Sequence, residues 1–125
     1  MTAPARVAIA WLEARARCDL PRLGELTADD AVWDSPVDGL LHGRDAVLNE
    51  VRRGFSETDA FSTELLSLDV RDSHAIATVR NTGRNGGAVL DSVQQLHLDI
   101  AGTSVTGVRI VVDDPDSVER FWAGV

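Results

Sequence analysis

The chain has 125 residues, the length of one domain, and its formal net charge is −8 at pH 7. That charge argues against a nucleic-acid partner, whose phosphates would repel the chain, and no apolar run is long enough to span a membrane. The single cysteine, Cys18, excludes an intramolecular disulfide and a cysteine-rich zinc site, while the absence of Lys and Tyr excludes Schiff-base catalysis and a tyrosine acid. A lone thiol and the lack of a signal-peptide layout predict a protein of the cytoplasm.

Two amphipathic helices are predicted at the start of the chain. The first has Pro4 in its first turn and carries its apolar side chains, including Trp11, at helical spacing. Asp19 is the predicted N-cap of a second, shorter helix. Its buried face is expected to consist of Leu20, Leu23 and Leu26.

A short apolar run that ends at Pro36 is the centre of the sequence. Proline cannot donate a ladder hydrogen bond and disfavours a helical conformation at Ser35, so Ala31 to Asp34 are predicted to form a strand that stops abruptly. Alternation places Trp33 and Ser35 on one face and Asp34 on the other. An indole and a hydroxyl beside a chain reversal indicate either a pocket wall, or a core tryptophan next to a turn-capping serine.

Polar segments flank this strand on both sides. Asp29 and Asp30 are interpreted as the end of a helix and the start of a turn, and Asp38-Gly39 is a second turn. A third helix is predicted to begin near Gly43 or Arg44. Its core stripe is Val47, Leu48, Val51 and Phe55.

From Phe61 onward the hydrophobic period changes from helical to alternating. Four strands are predicted, at Phe61–Val70, His74–Thr82, Ala88–Asp99 and Ser104–Val112. The short polar and glycine-containing segments between them are hairpin connections, so these strands should pair antiparallel. A last short helix is predicted to follow Asp113-Asp114-Pro115.

Helices first and a strand meander afterwards indicate an α+β domain over residues 1–125. We expect a cone: a curved antiparallel sheet wrapped around the N-terminal helices, with a ligand-type apolar pocket between helices and sheet. Gln95, His97 and Asp99 indicate a partly polar outer sheet face. A homodimer packed sheet on sheet is one way to cover that face.

Short motifs in a characteristic order extend over nearly the whole chain. They are Trp11, Asp19-Leu20, Leu26–Trp33, Gly43–Val47, Gly86-Gly87, Gln94–Asp99 and Phe121-Trp122-Ala123. Together they resemble the SnoaL-like family of the nuclear-transport-factor-2-like (NTF2-like) superfamily, which also holds ketosteroid isomerase and polyketide cyclases. The resemblance implies an α+β cone, usually dimeric, with a pocket between the helices and the sheet. Members include isomerases, cyclases, epoxide hydrolases and non-enzymes, so the fold does not define the activity.

The isomerase sites do not carry over to this chain unchanged. The base position, immediately before Pro36, is occupied by Ser35, while the isomerase tyrosine falls on Trp11 and its protonated acid on Gln94. An unassisted serine is not an effective general base, because its pKa lies far above neutrality. Trp11 and Gln94 can still donate hydrogen bonds to a carbonyl. The resemblance therefore implies a pocket for an oxygen-bearing apolar molecule, without the isomerase mechanism.

Asp34 and His42 are the candidate proton-transfer residues. Asp34 is the carboxylate nearest the base position, although alternation aims it at the other face unless a bulge at Pro36 turns it inward. His42 precedes the third helix, where loops often rim a pocket, and imidazole titrates near neutrality; the alternative is an exposed turn histidine. His74 and His97 are expected at the surface, and the three histidines are too scattered to indicate a metal site.

Three charged strand residues have an ambiguous direction. Arg80, Asp91 and Arg109 could line the cavity or lie on the sheet surface. Related cyclases use a strand aspartate, which keeps Asp91 open, but alternation sends Asp91 outward if Gln94 faces inward.

The sequence thus predicts a protein that binds a small, largely apolar, oxygen-bearing molecule. Its expected lining is Trp11, Trp33, Ser35, Gln94 and Trp122. If the protein is an enzyme, we expect isomerisation or cyclisation in secondary metabolism without a cofactor or a metal. Asp34 or His42 would then move the proton, while Trp11 and Gln94 stabilise the oxyanion. The alternatives are a non-catalytic carrier or sensor with the same pocket, and a dimeric interaction module that uses the open sheet face.

Overall fold

The computed structural model describes residues 1–124 as helices and strands in the order ααββαββββα. The helices are α1 (Ala3–Arg17), α2 (Leu20–Leu26), α3 (Arg44–Ser56) and α4 (Pro115–Ala123). The strands are β1 (Thr27–Ser35), β2 (Gly39–His42), β3 (Ala60–Arg71), β4 (His74–Asn85), β5 (Ala88–Ala101) and β6 (Ser104–Val112). No helix within residues 1–124 is long and apolar enough to cross a membrane.

Side-chain caps define where the first two helices begin. Thr2 Oγ1 accepts a hydrogen bond from the backbone N–H of Ala5 at 3.3 Å. Asp19 Oδ1 accepts one from the backbone N–H of Arg22 at 3.2 Å. Each side chain satisfies an N–H group that the first helical turn leaves unpaired. Both helices, and Asp19 as the N-cap of the second, are confirmed.

The six strands form one sheet in the spatial order β2-β1-β6-β5-β4-β3. Strands β3 to β6 are consecutive and pair antiparallel, as their hairpin connections predicted. Strand β1 pairs antiparallel with β2 but runs parallel to β6. The predicted α+β fold, with helices against a mostly antiparallel sheet, is confirmed. The β1–β6 pair makes the sheet mixed, because the chain returns to β1 only after the meander.

The first two strands are more extensive than their sequence pattern indicated. Strand β1 has nine residues and includes Asp29 and Asp30, so the interpretation of this pair as a helix end and a turn was wrong. Both carboxylates lie on exposed positions, and Asp29 forms an ion pair with Arg44. Gly39–His42 forms a strand where only a turn was predicted, because four residues are too few to show a period.

The core lies between the inner face of the sheet and helices α1 to α3. Alternate side chains of β4 and β5 point into it, and Trp11 and Leu23 enter from the helices without any exposed surface. A smaller cluster of Leu90, Val118 and Phe121 attaches α4 to the end of the sheet. Removing this apolar surface from water is the main favourable contribution to folding.

Helix α4 can pack closely on the sheet because residue 83 has no side chain. A Cβ added to Gly83 would lie 2.5 Å from the carbonyl oxygen of Ala60 and 3.0 Å from Cζ of Phe121. The glycine therefore permits the contact that brings α4, with Trp122, over the end of the cone.

Candidate functional site

A cavity lies between the helices and the inner sheet face, at the end that α4 covers. The centres of water molecules can occupy a volume of about 60 Å³ in this cavity. The empty volume of the cavity, including its open mouth, is about 620 Å³. Its apolar lining includes Trp33, Phe55, Phe61, Ile110 and Trp122. Its polar lining consists of Arg15, Ser35, Asp38, Glu50, Asn81 and Gln94. A mostly apolar pocket with a few polar side chains is typical of a small-molecule site.

Two carboxyl groups meet at the cavity wall, Asp38 from the β1–β2 turn and Glu50 from α3. The side chain of Glu50 is only 10% exposed. Burial raises the pKa of Glu50 above its usual range, and the nearby negative charge of Asp38 raises it further, while a hydrogen bond from Arg53 acts in the opposite direction. The pair can therefore hold and release a proton at a higher pH than an exposed glutamate.

Hydrogen bonds from the ends of β1 and α3 position this acidic pair. Trp33 Nε1 donates to Asp38 Oδ2 at 3.2 Å. Ser35 Oγ accepts from the backbone N–H groups of Val37 and Asp38, at 3.1 and 3.4 Å, and so fixes the turn that carries Asp38. Arg53 Nη1 donates to Glu50 Oε1 at 3.0 Å. Ser35 is thus both a turn cap and part of the cavity wall.

A buried guanidinium lines another part of the cavity. Arg15 is 7% exposed, and its Nη1 donates to Thr63 Oγ1 at 2.9 Å. Burial lowers the pKa of Arg15 to about 10, so the side chain is still charged at neutral pH. Within residues 1–124 it makes no ion pair.

Two amide side chains face the cavity from the sheet. Gln94 on β5 is 6% exposed, and its Nε2 donates to Ser92 Oγ at 3.4 Å. Asn81 on β4 is 4% exposed, and its Oδ1 has no hydrogen-bond partner in the described part of the chain. Buried polar atoms without a partner are rare, so this oxygen is a candidate contact for a bound molecule.

Four of the five predicted lining residues meet at this cavity: Trp33, Ser35, Gln94 and Trp122. Trp11 does not. It is fully buried in the core, and its Nε1 donates to Thr27 Oγ1 at 3.1 Å. The residue of α1 that does reach the cavity is Arg15, one turn further along the same helix face.

The two predicted proton-transfer residues lie outside the cavity. Asp34 is exposed, because the regular alternation of β1 is kept and no bulge at Pro36 turns the side chain inward. His42 is exposed at the end of β2, beside a shallow depression that it shares with Arg44 and Asp45. These positions leave Asp34 and His42 without a geometric basis for the role predicted for them.

The ambiguous strand charges also lie away from the cavity. Arg80 donates to both carboxylate oxygens of Asp91, at 2.8 and 2.7 Å, on the exposed face of the sheet. Arg109 lies beside His97 on the same face, with Nη2 3.4 Å from the imidazole Nδ1.

Glu50 and Arg15 were missed, although the sequence contains a signal for each. Both are charged residues on the apolar stripe of an amphipathic helix: Arg15 follows Trp11 by four positions, and Glu50 follows Val47 by three. A charge on such a stripe is either solvated at its edge or directed into an interior site. Asp38 has no comparable signal, because an aspartate before a glycine is ordinary turn chemistry.

Fold and cavity together define an NTF2-like cone with a small-molecule-type pocket, and comparison with known proteins agrees. The model of the SnoaL-like domain family matches residues 8–114. The chain belongs to this family, and the predicted resemblance is confirmed. No protein of curated function matches it in sequence.

Solved structures support the same fold. Bal32a, from a soil-derived mobile gene cassette, is 26% identical, with a TM-score of 0.90 over 96% of each chain. A hypothetical protein from Catenulispora acidiphila with a ketosteroid isomerase-like fold, in complex with trimethylamine, is 18% identical, with a TM-score of 0.73 over 84% of this chain and 83% of that one. An LEH-like epoxide hydrolase from M. tuberculosis is 15% identical, with a TM-score of 0.79 over 98% of this chain and 91% of that one. At these identities the last two show the fold alone.

Proposed function

We propose that this protein binds a small, largely apolar, oxygen-bearing molecule in the cavity and transforms it by cofactor-free proton transfer, as an isomerase or cyclase. The observation that carries the proposal is the Asp38–Glu50 pair, two carboxyl groups in the wall of a mostly apolar cavity, where burial and the neighbouring Asp38 raise the pKa of Glu50. Perturbed carboxyl groups in a cleft are the usual means of acid–base catalysis near neutral pH.

The pair has the properties that a proton-transfer site requires. In its ionised form Glu50 would accept a proton from a carbon next to a carbonyl, and the negative charge of the neighbouring Asp38 would stabilise the protonated form of Glu50. Arg53 keeps Glu50 oriented from its other side. The oxyanion that forms would be stabilised by donors elsewhere in the lining, from Arg15, Ser35 or Gln94. The proton then returns to a different atom of the substrate, which is an isomerisation or prepares a ring closure.

Deuterium exchange at the carbon next to a ketone tests this proposal directly. We would incubate the protein with a panel of cyclic ketones in D2O and follow the loss of the α-proton signal by NMR, with binding measured from the fluorescence of Trp33 and Trp122. Glu50→Gln should abolish exchange without weakening binding more than about threefold, since the amide keeps the size of the side chain. Glu57→Gln is the matched control, because Glu57 also accepts from Arg53, at 2.9 Å, but does not line the cavity.

The same assay compares this pair with the candidates from the sequence. Asp34→Asn and His42→Ala should leave exchange at the wild-type rate, since both residues lie outside the cavity. If Asp34→Asn or His42→Ala lost exchange while Glu50→Gln kept full exchange, our assignment would be contradicted. The residue whose substitution abolished exchange would then be the proton-transfer residue.

The second candidate function is a non-catalytic carrier or sensor with the same cavity. It is favoured by Ser35, which stands where ketosteroid isomerases have their base and here has its oxygen engaged in the turn. A carrier would bind the ketone probes and show no exchange above the buffer rate over several hours.

We further propose that two copies pair through the outer face of the sheet, in the cytoplasm. Exposed apolar side chains on that face support an interface: Val89, Val93 and Val111 are each more than a third exposed. Val93→Glu should convert a dimer to a monomer in sedimentation velocity experiments, whereas Asn49→Glu, on the exposed surface of α3, should not. A monomeric wild-type protein at high concentration would contradict this part of the proposal.

A further inference from the structure

Three polar side chains form a row across the inner face of the sheet, below the cavity. Thr63 on β3 is the register partner of Asn81 on β4, and Asn81 is the partner of Ser92 on β5. Side chains directly opposite on neighbouring antiparallel strands lie about 5 Å apart. We call Thr63, Asn81 and Ser92 the polar row; it interrupts an inner face that is otherwise mostly apolar.

Arg15 reaches this row from α1. Its Nη1 donates to Thr63 Oγ1 at 2.9 Å, which brings the guanidinium to the end of the row next to Asn81. A guanidinium has five N–H donors in a planar arrangement that matches the two oxygens of a carboxylate. One neutral hydroxyl uses one of these donors and leaves the positive charge without a counter-ion.

The charge of Arg15 is not neutralised within the described chain. No carboxylate pairs with it, and burial is the cause of its lowered pKa, with no contribution from Asp38 or Glu50. A buried unpaired charge is strongly destabilising, and a ligand of opposite charge would remove this cost.

Asn81 supplies a second and independent observation. Its Oδ1 is buried, has no hydrogen-bond partner within residues 1–124, and belongs to a side chain that lines the cavity. An amide oxygen can only accept, so the group that satisfies it must carry an O–H or an N–H. A cation and an unsatisfied acceptor therefore line the same cavity, and Thr63, the hydrogen-bond partner of Arg15, is the register partner of Asn81.

We infer that the cavity is built for a small organic acid that enters as its monoanion. The carboxylate binds to Arg15, a hydroxyl or N–H on the neighbouring atom donates to Asn81 Oδ1, and the apolar remainder lies among Trp33 and Trp122. This inference rests on the proposed cavity function and names its substrate class. In a chain of net charge −8 the selectivity for an anion must be local, and Arg15 is the residue that provides it.

Mandelate, mandelamide and phenylacetate are the probes, because they differ by one feature at a time. Mandelate has a carboxylate and a neighbouring hydroxyl, mandelamide lacks the charge, and phenylacetate lacks the hydroxyl. We expect the wild-type protein to bind mandelate at least about tenfold more tightly than either of the others, as measured by tryptophan fluorescence and titration calorimetry.

Two variants assign the preference to its residues. Arg15→Met should remove the preference for mandelate over mandelamide, while Arg109→Met, which removes an arginine from the outer face, should keep it. Asn81→Leu should remove the preference for mandelate over phenylacetate and keep the requirement for charge. Circular dichroism checks that each variant is folded. If Arg15→Met does not fold, Arg15→Gln replaces it, and the wild-type comparison of acid and amide stands independently.

The outcomes separate this inference from the proposed function. Equal binding of mandelate and mandelamide by the wild-type protein overturns the inference but leaves a binding cavity. The same holds if Arg109→Met abolishes the preference as fully as Arg15→Met does. If no acid, amide or ketone probe binds at all, the cavity function itself is refuted.

Discussion

The two faces of the sheet hold their charges in opposite ways. On the outer face Arg80 pairs with Asp91, and both side chains are solvent-exposed. On the inner face Arg15 is buried with one hydroxyl for a partner. Exposed ion pairs form at little cost and contribute little, whereas a buried charge reduces stability unless it is matched. The buried charge of Arg15 on the inner face therefore does not stabilise the fold, and it indicates a role in binding.

The largest expected effect is a difference in the free energy of unfolding between substitutions on the inner and on the outer face of the sheet. Leu96 and Val93 both lie on β5, but Leu96 is 0% exposed on the inner face and Val93 is 51% exposed on the outer face. Leu96→Ala should lower the free energy of unfolding by about 2–5 kcal/mol, because it leaves a hole in the core. Val93→Ala should change it by less than about 0.5 kcal/mol in urea titrations of dilute protein. Similar losses for both would show that the outer face is buried as well.

The next prediction uses one substitution at two positions of β4. Asn81 Oδ1 has no partner within residues 1–124, so Asn81→Leu should raise the free energy of unfolding by about 1 kcal/mol. Asn85 Nδ2 donates to the backbone carbonyl of Phe121 at 2.8 Å, so Asn85→Leu should lower it by about 1–2 kcal/mol. Thermal and urea unfolding without ligand measure both. A loss of stability in Asn81→Leu would mean that this oxygen is already satisfied.

A smaller effect should depend on pH. Because burial and Asp38 raise the pKa of Glu50, the folded protein binds this proton more tightly than the unfolded chain. The resulting stability is complete below the ordinary glutamate pKa of 4.5 and is lost as the pH rises through the raised value. Glu50→Gln cannot ionise, so its stability relative to the wild-type protein should increase as the pH rises above 4.5. Glu13→Gln, on the exposed side of α1, should show no such trend in the same denaturation series.

The smallest expected effect lies on the outer face. Arg80 and Asp91 form a bidentate pair, which raises the pKa of Arg80 and lowers the pKa of Asp91, yet both side chains are about half exposed. We expect no measurable interaction between them in a double-mutant cycle of Arg80→Ala and Asp91→Ala, because solvent screens the pair. A clear coupling would indicate that a partner covers this face.

The helices, the strands and part of the cavity lining could be predicted from the sequence, because they depend on local rules. Caps such as Asp19 and alternation along β1 require only neighbouring residues, and they correctly placed both early helices and the inward direction of Trp33 and Ser35. Gln94 was placed at the cavity by family resemblance, and Trp122 belongs to the C-terminal motif of the same resemblance; both residues line the cavity.

The acidic pair and Arg15 depend on long-range geometry that no local rule contains. Asp38 lies near Glu50 because α3 packs against β1 and β2, and Arg15 lines the same cavity as Asn81 because α1 packs against β3 and β4. Trp11 was misassigned for the same reason: one helical turn decides whether a side chain lies in the core or at the cavity, and spacing alone does not fix where the cavity begins.

The parallel pairing of β1 with β6 has a consequence for how the molecule forms. Residues 27–35 are joined by hydrogen bonds to a strand more than 70 positions later in the chain. Closing so long a loop is slow, since its entropic cost precedes the contacts that reward it. During synthesis the early helices and the edge of β1 that pairs with β6 therefore remain uncovered until the meander has emerged. Premature association through their uncovered apolar surfaces would be the characteristic failure of biogenesis in this domain.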